Sequence, residues 1–480
     1  MAFSLKQQSV SGFKWNAIEN IAVRGIQFLL GLVLARLLAP SDFGVVGLLT
    51  IFIVVSQAFI DGGFSNALIR KNDKTAVDYS TAFYFNTIVG IVCYAVLFLI
   101  SPWVARFFEI EQLSPLLKVL GLSVFLNSFF LVPVAKLTSE LDFKGQTIAS
   151  LLSVILSGGI GIWLAYAGYG VWALVWQTVI MALFKGFVLV VYTRWIPILA
   201  FSKDSFKYLF SYGSKLVASN LLYTIYSQLT TILIGKFYTT ADLGFYTRGR
   251  QFANLPVDIF TGVLGKVTFP ILSKLQDNDS ELVRIYRRFV RLTSIVCVFG
   301  LLLLAAIAKP LILILLTEKW ADCVIYVQLF CFAMLLDHIT RLNLNLLQVK
   351  GRSDLYLRLE VIKRIVSIAI MLVALPFGVI YLCLSLIVYS VFAFVVNTYY
   401  TGKLFQLSCW LQLQDMSKYL ICSIIVCLPV YCLSFVTALP NIVIICVGCI
   451  FSTFSYWMLL RKDEQMQELI GIAKGLIGKR

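Results

Sequence analysis

The chain has 480 residues, of which 60% are hydrophobic and 13% charged, whereas soluble domains run at about 45–50% apolar and about 25% charged. Water is therefore the wrong solvent for most of it, and at roughly 20 residues per bilayer span the apolar content fills about fourteen spans. The net charge of +16 is scattered between apolar runs, which argues against a nucleic-acid partner, and a single histidine, His338, excludes HExxH zinc sites and histidine clusters, so no metal or cofactor is expected.

In chain order, apolar windows predict spans at 15–38, 43–61, 80–101, 115–134, 147–167, 170–192, 209–235, 251–272, 290–316, 324–347, 357–376, 379–400, 417–437 and 440–460. The polar opening, MAFSLKQQSVSGFKWN, lacks the pattern of a cleavable signal. Pro310 in the ninth run predicts a kink or an early end. The mid-span pair Cys446 and Cys449 reads as small hydrophobes rather than a redox motif. An even number of crossings puts both termini on one side. Connections on that side hold 25 of the 40 Lys and Arg residues, and the opposite connections hold seven. The positive-inside rule then predicts cytoplasmic N- and C-termini. No connection exceeds about twenty residues, so a soluble catalytic domain has no room.

The chain repeats itself. Residues 34–47, LARLLAPSDFGVVG, align without gaps to 234–247, IGKFYTTADLGFYT. The offset of 200 matches Arg36 to Lys236, Asp42 to Asp242, Gly44 to Gly244 and Gly62 to Gly262, and Asn20 to Asn220, while Thr240 stands where the first half has Pro40. Each Asp is expected to N-cap the next span, its carboxylate on the positive end of the helix dipole. Six helices per repeat predict halves of parallel topology related by a pseudo-twofold along the membrane normal. The expected architecture is an all-α integral membrane protein of about fourteen helices: an N-lobe at 1–200, a C-lobe at 201–402, a central cleft, and two additional helices with a cytoplasmic tail at 403–480.

Charge inside the spans is unbalanced. Arg24, Lys185, Lys215, Lys266 and Arg341 lie deep, where each costs about 2.5–3.5 kcal/mol near the bilayer centre. The acids at or within span limits are Glu19, Asp61, Asp258, Asp337 and Glu360. Glu19 with Arg24 and Asp337 with Arg341 are close enough in sequence to be local pairs, and Lys215 and Lys266 are near enough to inner ends to snorkel. Asp61-Gly62-Gly63 reads as a helix end before it reads as a proton site. Surplus buried cations otherwise need an anionic visitor, and their depth, between mid-membrane and the inner leaflet, suits the headgroup of a phosphorylated lipid. Asn20, Gln27, Asn220, Tyr223, Tyr226 and Gln228 are candidates for sugar hydroxyls.

The run at 34–48, with Asp61-Gly-Gly after it and Asp242-Leu-Gly in the second half, resembles the polysaccharide-transport branch of the multidrug/oligosaccharidyl-lipid/polysaccharide flippase superfamily. Within that branch it is most similar to the lipopolysaccharide, O-antigen and colanic-acid exporters of bacteria. The resemblance implies a flippase of the bacterial inner membrane that moves polyprenyl-pyrophosphate-linked oligosaccharide outward by alternating access. It also implies a cavity lined by the first, second, seventh and eighth helices, which carries Arg24, Lys215 and Lys266 to the cleft. Membrane lipids and other polysaccharide-assembly proteins are the remaining expected partners, and the coupling ion, Na+ or H+, stays open. A cation-coupled multidrug exporter of the same fold would favour acids in the cleft, and a membrane-embedded polymerase or ligase would need a longer external loop.

Overall fold

A computed structural model describes the chain outside residues 1–14, 16–17, 62–63, 72, 436–438 and 478–480, and describes no side chains at 20, 66, 212, 215–216, 218–219, 258–267 and 472–477. Among the described residues there is no strand. A π-helical turn, Glu19–Val23, leads into α1 (Arg24–Leu37), then α2 (Pro40–Asp61), the short α3 (Phe64–Arg70), α4 (Ala76–Phe108), α5 (Leu113–Ser139), α6 (Phe143–Tyr166) and α7 (Val171–Thr193). There follow α8 (Lys203–Phe237), α9 (Thr240–Ser273), α10 (Asp279–Leu316), α11 (Cys323–Ala333), α12 (Asp337–Val349), α13 (Ser353–Ala374), α14 (Val379–Phe405), α15 (Cys409–Leu433), α16 (Asn441–Leu460) and α17 (Glu464–Ile477). Ten of the helical segments among the described residues, α11 and α12 counted as one, are long and apolar enough to cross a membrane. The chain is a multi-pass membrane protein.

Several helices outrun their apolar windows because polar caps start them in the aqueous layer. Thr75 and Asp78 form a reciprocal capping box at the start of α4, and Asp142, Ser202, Asn278 and Ser408 accept from backbone N–H groups at the starts of α6, α8, α10 and α15. Two expectations are corrected here. Of the two readings of Pro310 only the early end is excluded, since helix α10 runs through it to Leu316. The tenth span is not continuous: turns at 334–336 separate α11 from α12. The repeat aspartates are not N-caps but third residues of their helices. Asp42 accepts from the Ala39 backbone N–H at 3.0 Å, and Asp242 completes a capping box with Thr239, its own N–H donating to Thr239 Oγ1 at 3.1 Å.

The chain divides into two compact units, 1–244 and 245–480. In the first, α4 packs on α5, α6 on α7, and α8 lies against α2, α3 and α4. The seventh span thus packs within the first unit, although the sequence repeat assigns it to the second half. Small residues let these backbones approach: a Cβ on Gly186 of α7 would sit 1.7 Å from the Phe130 ring, and one on Gly145 of α6 would sit 2.3 Å from Tyr192. The buried carboxylate of Asp78 accepts from Lys71 Nζ and Ser205 Oγ, each at 2.6 Å, and from the Thr75 N–H at 2.8 Å, tying α4 to its preceding loop and to α8. Where the two repeats' loop signatures meet, the contact is reciprocal. A Cβ on Gly44 would lie 1.7 Å from the Thr240 carbonyl oxygen, and one on Gly244 would lie 2.0 Å from the Pro40 carbonyl oxygen.

In the second unit the basic first turns of α10 are an anchor for the last helices. Asp415 of α15 is buried and receives Arg287 Nε at 2.7 Å and Arg291 Nε at 2.8 Å, while Arg288 Nε donates to Glu468 of α17 at 2.8 Å. Behind them Tyr286, Asn343 and Gln412 form a fully buried hydrogen-bonded set, with Tyr286 Oη donating to Asn343 Oδ1 at 2.7 Å and Asn343 Nδ2 donating to Gln412 Oε1 at 2.9 Å. Asp415→Ala would leave both guanidiniums without their carboxylate. We expect a loss of about 2 kcal/mol, less than the roughly 3–5 of a fully buried pair because both arginines remain about a third exposed. A thermal melt unchanged from the parent protein would contradict the anchor.

Candidate functional site

The first helix reaches the site through the only π-helical turn among the described residues, a feature frequent at functional positions. Glu19 in that turn accepts from Ser150 Oγ of α6 at 2.8 Å. Helix α6 runs parallel to it: Thr147 meets the Trp15 carbonyl, Ser150 meets Glu19, and Gly158 meets Leu30. Helix α7 runs antiparallel to α6, with Tyr192 against Gly145 and Gln177 against Gly161. Hence α1 and α7 are antiparallel, and their register is fixed by Gln27 Nε2 donating to Met181 Sδ at 3.8 Å.

That register puts two of the candidate cations at a similar depth on α1 and α7. Arg24 precedes Gln27 by three residues and Lys185 follows Met181 by four, so both lie on the contacting faces. At about 1.5 Å per residue they sit within about 1.5 Å of the same depth. Arg24 is exposed and Lys185 half-buried. Among the described residues Lys185 has no carboxylate in ion-pair range, which α1, α6 and α7 can tolerate only if water or an anion meets the charge.

The other candidates separate. Asn220, Tyr223 and Tyr226 follow one ridge of α8, spaced by three, with Asn220 and Tyr223 exposed. Gln228, two residues beyond Tyr226, is turned about 160° away from it and does not share that face. Asp61 closes α2 and accepts from Gln57 Nε2 at 3.1 Å, a helix-end contact. In the second unit Asp337 and Arg341 form the local pair their spacing allows, at 3.0 Å, immediately after the break at 334–336. His338 is buried, its Nε2 2.9 Å from Ser294 Oγ. Lys363 and Arg364 share Glu360. The side chains of Asn20, Lys215, Asp258 and Lys266 lie outside the described residues.

Two further charged positions have partners away from the candidate cations. Arg248 is buried inside α9, donating to Gln251 Oε1. Lys236 holds Glu109 at 2.8 Å, which keeps that carboxyl below the usual carboxylate range. Among the described residues no three His, Cys, Asp or Glu side chains form a metal-binding group.

Comparison with known proteins fits this geometry. Residues 33–325 match the family described as polysaccharide biosynthesis protein. The chain belongs to that family. Its relatives include the teichuronic acid biosynthesis protein TuaB of Bacillus subtilis, 25% identical over 73% of each chain. The lipopolysaccharide biosynthesis protein WzxC of Escherichia coli is 26% identical over 75% of this chain and 74% of its own. The succinoglycan biosynthesis transport protein ExoT of Rhizobium meliloti is 23% identical over 64% of this chain and 62% of its own. Among solved structures, the lipid II flippase MurJ in an inward closed conformation superposes with a TM-score of 0.72 at 12% identity, covering 93% of this chain and 98% of MurJ. An inward-facing multidrug transporter of the MATE family gives 0.58 at 15% identity over 79% of this chain and 95% of its own. At these identities the structures establish a shared all-helical fold and nothing finer.

Proposed function

We propose that this family member is a flippase that carries polyprenyl-pyrophosphate-linked oligosaccharide from the cytoplasmic to the external leaflet of the bacterial inner membrane. It makes and breaks no bond in doing so. The reading rests first on membership of the polysaccharide family, with relatives named for lipopolysaccharide biosynthesis and succinoglycan transport. The structural observation that carries it is the level pair Arg24 and Lys185. A pyrophosphate cannot cross about 30 Å of hydrocarbon with its charge unsolvated, and two cations at one level would replace part of the lost water. The ridge of Asn220, Tyr223 and Tyr226 offers amides and phenols to sugar hydroxyls.

The finer architecture belongs to the same proposal: fourteen crossings, two six-helix halves, both termini cytoplasmic, and two further helices. The mirrored contacts of Gly44 with Thr240 and Gly244 with Pro40 support the pseudo-twofold.

Removing the chain from its host is expected to deplete surface polysaccharide and accumulate the complete lipid-linked repeat unit on the cytoplasmic side. Export of single, unpolymerised units would favour the polymerase reading. Normal polysaccharide with raised drug sensitivity would favour the multidrug exporter.

A further inference from the structure

The last two spanning helices lie outside the sequence repeat, and transport as proposed gives them no task. Between them runs a groove of about 560 Å³, walled by Ile425 and Val426 of α15 and by Phe451 and Met458 of α16. The walls are apolar for their whole length except at Ser455, and at one end the groove opens onto Arg461 and Lys462. These two cations have no ion pair among the described residues. The adjacent carboxylate is already committed: Asp463 receives Lys418 Nζ at 2.5 Å, Tyr419 Oη at 3.3 Å and the backbone N–H groups of Gln465 and Met466 at 3.1 and 3.2 Å.

We infer that this groove binds one acidic glycerophospholipid of the inner leaflet, its phosphate at Arg461 and Lys462 and an acyl chain along α15 and α16. The charge at the mouth selects the headgroup: basic residues beside a membrane attract acidic lipids of the cytoplasmic leaflet. The depth selects the tail. From Lys462 to Phe451 is eleven residues, about 16 Å along the helix axis, or about half of a 30 Å hydrocarbon core. That is one leaflet, the length of an ordinary acyl chain, and a polyprenyl tail would overrun it. The placement of the phosphate rests on the cytoplasmic reading of the C-terminus and is independent of what the protein transports. A lipid held there would seat α15, already tied through Asp415 to Arg287 and Arg291, against its neighbour helix at a fixed depth.

Native mass spectrometry of the full-length purified chain tests this, with phosphatidylglycerol, phosphatidylethanolamine and a polyprenyl phosphate as the probes. The parent protein should retain phosphatidylglycerol over phosphatidylethanolamine by about thirtyfold, the combined pull of two surface cations. The pair Arg461→Gln and Lys462→Gln should erase that preference. Ser455→Trp, which fills the groove without changing charge, should lower retention of both phospholipids. Melting curves identify any variant that fails to fold, and the charge pair decides the matter if Ser455→Trp does. Unchanged preference in the charge pair overturns the inference, as does displacement of phosphatidylglycerol from the parent by the polyprenyl phosphate.

Discussion

Arg24→Ala is expected to cut polysaccharide export to the cell surface by about tenfold or more while leaving the amount of folded protein in the membrane unchanged. Arg24 is exposed on α1, directly after the π-helical turn, and at the level of Lys185 on α7. A hydrogen bond to a charged partner contributes about 1.5–3 kcal/mol, so losing it from the transported state slows each cycle by roughly tenfold to more than a hundredfold. Arg24→Lys separates two mechanisms. If a point charge suffices, export is partly kept; if the planar fork must grip two phosphate oxygens, it is lost. Lys185→Ala should weaken export less, because Arg24 still meets the phosphate. Full surface polymer in Arg24→Ala would remove that residue from the role and leave the functional proposal on family membership.

Gly44→Val should instead lower the yield of folded protein. Its Cβ would fall 1.7 Å from a backbone oxygen, so the starts of α2 and α9 have to part by more than an ångström. Overpacking of this kind costs about 1–3 kcal/mol where a side chain can give way, and here only backbone opposes it, so about 3 kcal/mol or more is expected. Gly244→Val should behave alike, since its Cβ meets the Pro40 carbonyl oxygen at 2.0 Å. Gly25→Ala and Gly159→Ala are the controls: both positions have open space around the added atom, and alanine favours a helix over glycine by up to about 1 kcal/mol. Melting temperatures that fell equally in all four would refute the close crossing.

Hydropathy made the spans legible because each apolar run must be buried in lipid or protein, whatever the neighbours are. It located the ten apolar spans found among the described residues and missed their ends, since caps such as Thr75 and Asn278 extend helices beyond the apolar run. The repeat was legible at residues 34–47 and 234–247, yet the reason for its glycines was not, because a crossing of two backbones leaves no trace in either segment alone. Counting cations by connection says nothing of what Arg248, Arg287, Arg288 and Arg291 touch. In the fold the first is enclosed by α9 and its packing, and the others reach Asp415 and Glu468, more than a hundred residues away. For the site, the sequence marked Arg24, Lys185, Gln27 and the α8 polar ridge as candidates. The shared level of Arg24 and Lys185 needed the register through Met181, a contact across 154 residues.

The reciprocal crossing also bears on descent. Residues 40 and 44 of one repeat supply a ridge and a notch, and residues 240 and 244 supply the same two parts in the same order. A chain half as long, bearing both, would already complement its own twin. Joining two such genes end to end would need no new surface, and drift afterwards is free everywhere except where each copy still has to admit the other.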